Sequence, residues 1–240
     1  MIKGTLTALG FVCALGNDKD EICQNSKIGS LKGMIKDTQN IPNKSVPFGH
    51  VNIPTSKRLR CYELLDAAIE QIQDKIEELK QKYQSDRIGV ILGSSNTGIH
   101  EAEQKIDHWL DIRERPDAFS FDDIELGTPA CYLRKKTGVA GPAYTISTAC
   151  SSSGKVFASA RYLLQNDICD AVLVGGVDSL CRLAMNGFYV LEALSDEISN
   201  PMSKNRKGIN LGEGAAVFIM EKIKEELVLR VSENLLMAII

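Results

Sequence analysis

The sequence lacks any excess of positive charge: 28 Lys and Arg stand against 31 Asp and Glu, a formal net charge of −3 over 240 residues. Nucleic-acid binding needs a basic surface, so nothing points to that class. No apolar run approaches the roughly 20 residues of a membrane-crossing helix. The first residues, Met1-Ile-Lys-Gly-Thr-Leu-Thr, have no signal-peptide architecture and read directly as a strand. The seven cysteines (13, 23, 61, 131, 150, 169 and 181) are odd in number, scattered and without a CxxC pair. Neither a zinc site nor a disulfide framework is suggested, and a reducing cytoplasm is the expected compartment. Internal repeats and low-complexity tracts are missing too. So is the GxSxG elbow of a serine hydrolase. What is present, 44% hydrophobic and 25% charged residues, is an ordinary globular composition with enough apolar surface for a full core.

Hydrophobic patterning predicts strands at 6–12, 87–93, 143–147, 171–176 and 215–221. Helices are predicted at 58–83, 97–111, 122–137 and after residue 150. Asp18 or Asp20 is placed to cap a helix after the first strand. Within 58–83, Tyr62, Leu65, Ile69, Ile72, Ile76, Leu79 and Tyr83 advance in steps of three and four, one apolar stripe with charges elsewhere. Residues 29–56 are rich in Gly, Pro, Ser, Asn and Thr and read as a long irregular stretch. Strands alternating with helices argue for an α/β domain whose sheet is mainly parallel, with helices on both faces.

Cys150 is the residue most suggestive of chemistry. The run Tyr144-Thr-Ile-Ser-Thr-Ala-Cys-Ser-Ser-Ser-Gly154 joins a β-prone segment to a helix of small residues, with a thiol at the turn. Backbone N–H groups at a helix start are unpaired and carry positive partial charge, which favours a thiolate. A pKa falling from about 8.5 to about 7.5 would raise the thiolate fraction at neutral pH from roughly 3% to roughly 25%. Small residues all round the helix suggest a central position, with Cys150 at a buried N-terminal tip. The bland alternative is a structural core cysteine, which is the reading for the other six. Gly93-Ser-Ser-Asn-Thr-Gly98 ends a buried strand but lacks the Lys of a phosphate loop, and is expected to be a turn by the pocket. Gly212-Glu-Gly214 precedes a strand and so is not a dinucleotide fingerprint; Glu213 is expected to be a structural, hydrogen-bonded carboxylate.

Thr148-Ala-Cys-Ser-Ser-Ser-Gly154 resembles the nucleophile turn of the β-ketoacyl-acyl carrier protein synthases, ketosynthases of the thiolase superfamily. Ala8-Leu-Gly-Phe-Val-Cys-Ala-Leu-Gly16 is similar to their opening strand and turn. Cys169-Asp-Ala-Val-Leu-Val-Gly-Gly-Val-Asp-Ser179 is similar to the strand after the nucleophile helix. The segment from Asn200-Pro-Met-Ser-Lys to Gly212-Glu-Gly-Ala-Ala216 is similar to their Pro-Phe … Arg-Asp-Gly … Gly-Glu-Gly-Ala stretch. The details lean towards a branch that includes aryl-polyene and related secondary-metabolite synthases. The resemblance implies the N-terminal half of a thiolase-like layered fold, and decarboxylative Claisen condensation in fatty-acid, polyketide or aryl-polyene-like biosynthesis. Cys150 would accept an acyl group from acyl carrier protein, and malonyl carrier protein would extend it. The backbone N–H of Cys150 would form half of an oxyanion hole. No cofactor or metal is implied. The partners implied are acyl and malonyl carrier protein and a second copy of the chain, the homodimer forming through strands near 171–177.

The chain departs from that pattern in its second part. The family's two active-site histidines lie in the second half of a duplicated fold, whereas His50, His100 and His108 stand in no matching context and read as surface or satisfied core histidines. Residues 1–222 read as the ketosynthase domain and 223–240 as a divergent tail, with a possible strand at 225–231. A truncation or frameshift near 222 is the expectation, leaving an isolated chain that does not condense malonyl units. Lys57, Arg58 and Arg60 occupy the place of the family's carrier-protein docking patch; Arg134-Lys-Lys136 and Lys204-Asn-Arg-Lys207 are further basic clusters. Solvated charge is the plain alternative for all three. Two other functions remain open: a non-catalytic half that dimerises or binds carrier protein, and a thiolase-like enzyme using coenzyme A.

Overall fold

In chain order the strands are β1 (Lys3–Val12), β2 (Met34–Asp37), β3 (Val46–Gly49), β4 (Ile88–Gly93), β5 (Ala143–Ile146), β6 (Ala171–Asp178) and β7 (Gly214–Ile223). The helices are α1 (Lys19–Lys27), α2 (Arg60–Glu70), α3 (Gln73–Lys82), α4 (Ile99–Ile112), α5 (Thr128–Thr137), α6 (Ser152–Gln165) and α7 (Arg182–Val190). The computed structural model describes residues 3–38, 40–56, 58–113 and 120–223. The tail and its expected strand at 225–231 lie outside the described residues.

The continuous apolar runs make the centre of the sheet. Every residue of β4 is buried, as is all of β6 up to Asp178. The order is β1-β7-β6-β4-β5. β4 pairs in parallel with both β5 and β6, while β7 runs antiparallel to β6 and β1. Four strands therefore point one way and β7 alone opposes them, giving the expected mixed sheet, although its pairings divide equally between parallel and antiparallel rather than being mainly parallel. Side chains alternate between its faces with the two-residue period of a strand. Val90, Leu92, Leu173, Val217 and Ile219 meet Leu64, Leu65, Ile69, Ile76, Leu79 and Leu133 of α2, α3 and α5. Ile91, Val172, Val174 and Phe218 face the other way, onto Val156, Ala160 and Leu164 of α6 and Ile22 of α1. Helices cover both faces, as the patterning required.

Several local expectations are corrected. The helix expected over 58–83 is two, broken at Gln71 and Ile72, where Ile72 leaves helical geometry at φ −126° and ψ 16°. The Gln71 amide is drawn out of the helix surface: its Nε2 donates to the carbonyls of Phe11, Asn17 and Ala67 at 2.9, 2.9 and 3.1 Å. Apolar spacing reports which face is buried and is blind to such a break, so the stripe from Leu65 to Leu79 is buried as expected. The helix expected over 122–137 is a 3₁₀ turn, Phe121–Ile124, followed by α5, which Pro129 starts afresh. The irregular stretch at 29–56 contains an antiparallel pair, β2 with β3. Helix α7 was not anticipated. Its first amides, of Arg182 and Leu183, donate to the Glu103 carboxylate of α4 at 2.8 and 2.6 Å, a cap supplied from distant sequence. Asp18 caps α1 by accepting from the Glu21 N–H at 2.9 Å.

Candidate active site

β5 ends at Ile146 and α6 begins at Ser152, so Cys150 lies in the five-residue connection between them. Ala149 adopts φ +53°, the left-handed region that side chains other than glycine rarely enter. Hydroxyls hold the chain there. Ser152, 2% exposed, accepts from the Thr148 N–H at 2.9 Å and donates to the Ala149 carbonyl at 2.6 Å. Ser151 donates to the Thr148 carbonyl at 2.9 Å. The serine-rich run is thus a set of local side-chain-to-backbone bonds that fix a tight turn.

Two glycines seat this turn on the sheet. Gly93 ends β4, and its register partner Gly176 lies two residues before the end of β6. A Cβ on Gly93 would lie 2.6 Å from the Ser153 nitrogen, and one on Gly176 would lie 2.1 Å from Ser153 Oγ. Only a strand end without side chains lets the first turn of α6 come this close. Beside it runs a cavity of about 250 Å³ walled by Phe11, Cys13, Ser153, Phe157, Asp178 and Phe218 among others. The 93–98 turn, expected to line the pocket, is not part of this wall. It touches the nucleophile turn instead, where Ser95 Oγ donates to the Ala149 carbonyl at 3.3 Å.

Cys150 is exposed, and so are Ser153, Gly154, Lys155 and Ala158. This corrects the expectation of a buried tip. α6 does lie centrally on the sheet, but through Val156, Ala160, Leu163 and Leu164; its small-residue side is open. Other thiols differ. Burial pushes the Cys61 thiol up to about 12 and those of Cys169 and Cys181 up to about 11. Burial raises Cys13 as well. Cys23 and Cys131 are exposed on α1 and α5.

The basic residues proposed for docking divide. Lys57 lies outside the described residues. Arg58 is exposed and donates to Asp66 at 2.9 Å and to the Tyr132 hydroxyl at 3.0 Å; Lys136 reaches the same carboxylate at 3.3 Å. Two basic clusters far apart in sequence therefore meet on the surface of α2 and α5. Arg60 does not belong with them. It is 7% exposed, and its guanidinium donates to Glu213 at 2.8 and 3.2 Å, to Glu63 at 3.2 Å and to the Val51 carbonyl at 2.7 Å. Such a charge faces inward and offers nothing to a carrier protein. Glu213 is the hydrogen-bonded structural carboxylate expected, also accepting from the Val51 N–H at 3.1 Å and facing His50 Nδ1 at 3.0 Å. His100 bonds Gln104 at 3.0 Å, and His108 is exposed.

The strand expected to dimerise, near 171–177, is β6, and both its edges are taken by β4 and β7. Among the described residues the free edges of the sheet belong to β1 and β5. Among the described residues no group of three or more His, Cys, Asp or Glu is placed to hold a metal ion, and no helix is long and apolar enough to cross a membrane. Sequence reasoning overlooked Asp178. Its signal was a carboxylate ending an otherwise uninterrupted apolar strand.

The chain is similar along most of its length to proteins of one kind. Nodulation protein E of Rhizobium meliloti is 24% identical over 233 residues, 90% of this chain and 57% of that protein. The chloroplastic 3-oxoacyl-[acyl-carrier-protein] synthase II of Arabidopsis thaliana is 25% identical over 243 residues, 91% of this chain and 44% of that one. Among solved structures, the ketosynthase ApeO, in complex with its chain length factor ApeC, from Xenorhabdus doucetiae superposes with a TM-score of 0.87 at 31% identity, covering 93% of this chain and 59% of that chain. The chain thus spans roughly half the length of these relatives. The model of the Beta-ketoacyl synthase N-terminal domain matches residues 15–226, and the chain belongs to that family.

Proposed function

We propose that this chain carries the nucleophile of a β-ketoacyl-acyl carrier protein synthase and that the nucleophile is Cys150. Its thiolate attacks the carbonyl carbon of an acyl group held as a thioester on acyl carrier protein. The bond to the carrier's sulfur breaks, and the acyl group passes to Cys150. A malonyl thioester on carrier protein then loses its carboxylate as carbon dioxide, and the carbanion left behind attacks the acyl-Cys150 carbonyl. The Cys150 sulfur leaves as a thiolate, and the carrier holds a β-ketoacyl chain two carbons longer. The backbone N–H of Cys150 serves as one oxyanion donor; such donors are worth about 3 kcal/mol.

The observation that carries this reading is the turn itself. An accessible thiol follows a left-handed Ala149 at the head of a 14-residue helix, locked by two serine hydroxyls. Strain of this kind costs roughly 1–3 kcal/mol and persists where the surroundings over-determine it, most often at sites of chemistry. The family resemblance assigns two histidines to the second half of the fold, and the chain spans roughly half the length of its relatives. The isolated chain is therefore proposed to stop at acyl-Cys150. A second copy, or a related chain, is proposed to pair along the free edge of β5, in keeping with a similar ketosynthase solved with its chain length factor. Arg58 is left as the described docking charge, steering an acidic carrier in a salt-sensitive way.

Incubation of the purified chain with acyl-acyl carrier protein, followed by mass analysis of the peptide containing Cys150, tests the reading. Acyl transfer lost in Cys150→Ser supports it. Transfer from acyl-coenzyme A but not from carrier protein favours the thiolase-like alternative, and transfer from neither favours a non-catalytic half. Malonyl carrier protein added next should give no extended product. Turnover by the partner-free chain would overturn that part.

A further inference from the structure

Asp178 closes β6 at the end of the sheet that carries the Cys150 turn, and one of its oxygens gathers an unusual number of donors. Oδ1 accepts from the Ser94 hydroxyl at 3.0 Å, from the Ser95 N–H at 2.7 Å and from the Asn96 N–H at 2.9 Å. These are charge-assisted bonds, stronger than neutral ones. The loop they gather is tightly wound. Thr97 has φ +41°, and its N–H donates to Ser94 Oγ at 3.1 Å. Asn96 Nδ2 donates to the Ser179 carbonyl at 3.2 Å, and Ser179 Oγ donates back to the Thr97 carbonyl at 3.3 Å.

The loop is tied on its other side to the nucleophile turn. Ser95 Oγ donates at 3.3 Å to the Ala149 carbonyl, which already accepts from Ser152 Oγ at 2.6 Å and Ser152 N–H at 3.0 Å. Ala149 is the strained residue directly before Cys150. A path of hydrogen bonds thus runs from Asp178 through the Ser95 backbone and hydroxyl to the peptide that orients the thiol. Burial raises the Asp178 carboxyl above its ordinary value, opposed by the three donors, so the group sits where it is costly to desolvate.

We propose that Asp178 is a positioning residue for Cys150, acting through Ser95: it fixes the 94–97 loop so that the Ser95 hydroxyl holds Ala149 in its left-handed conformation. The inference rests on Cys150 being the nucleophile, and adds two residues that support it from outside its own turn. The plainer role, a carboxylate that merely caps a loop, makes different predictions.

Iodoacetamide alkylation of Cys150 at neutral pH, followed residue by residue with Cys131 as the exposed reference thiol, separates the two roles. Asp178→Asn and Ser95→Ala are each expected to slow Cys150 about fivefold, the loss expected of one neutral hydrogen bond in the path, with Cys131 unchanged. The double variant should be no slower than the slower single one, because both act along one path. Ser95→Thr, which keeps the hydroxyl, should retain the rate. Amide exchange in residues 147–153 should quicken in Asp178→Asn. Unchanged Cys150 reactivity in Ser95→Ala, losses that multiply in the double variant, equal slowing of Cys131, or unchanged exchange in 147–153 would each overturn the proposal. Neither alkylation nor exchange depends on acyl transfer, so a failure of the acyl-enzyme reading is seen separately, in the wild-type acylation experiment.

Discussion

The two faces of the central sheet are built on different terms. On one, α2, α3 and α5 bring large aliphatic side chains, and Leu64, Leu65, Ile69, Ile76 and Leu133 are fully buried. On the other, α6 buries Val156, Ala160, Leu163 and Leu164, but its first turn of serines and glycine rests on bare glycine backbone, and one flank is open to a cavity. The first face closes by burying apolar area, worth about 25 cal/mol per Å². The second also buries Ile91 and Leu164 fully, and only at the first turn of α6 does it trade side-chain burial for close backbone approach and an accessible thiol.

The largest effect is expected beside the closed face, at the Arg60 cluster. Arg60→Ala leaves Glu213 and Glu63 buried without their cation, and removal of one partner from such a group costs about 3–5 kcal/mol. Urea unfolding measures it, and a loss below about 1 kcal/mol would mean that the carboxylates find other partners. Next comes packing. Leu64→Ala is expected to cost about 2–5 kcal/mol, and Phe157→Ala, half-buried beside the cavity, less than half as much. Equal losses would erase the contrast between the faces. The smallest effect concerns the far ends of β4 and β6, away from Cys150. Arg87 donates to Asp170 at 2.9 and 3.0 Å and holds its carboxyl below the ordinary value. A depressed folded pKa contributes stability that is present above the unfolded value near 3.8 and is lost as pH falls through the folded one. Asp170→Asn should flatten the acid limb of a melting-temperature profile and leave Cys150 alkylation at neutral pH untouched. An unchanged acid limb would show that this pair contributes nothing to the pH dependence.

Much of this was legible in the chain. The continuous apolar runs placed β4 and β6, because a strand covered on both faces must be apolar throughout. The serine-rich turn and small-residue helix placed Cys150 between a strand and a helix. What escaped was decided by partners distant in sequence. Gln71 leaves its helix to bond Phe11 and Asn17, and α7 depends on a cap from Glu103. Arg60 stands beside Arg58 in the sequence, yet Glu213, 153 residues away, turns it inward. A run of basic residues reports charge, not direction. Asp178 was passed over for the same reason: its three donors come from a loop more than eighty residues earlier.

The glycines at 93 and 176 carry a consequence for how such a protein can change over time. Because the first turn of α6 is seated on bare glycine backbone and tied by small hydroxyls, the thiol's location does not depend on a bulky neighbour. The apolar side chains nearby are free to be exchanged, and the shape of the adjoining cavity with them, while the reactive atom stays where it is. Drift in specificity and constancy of chemistry are then compatible within one scaffold, provided those two positions never acquire a side chain.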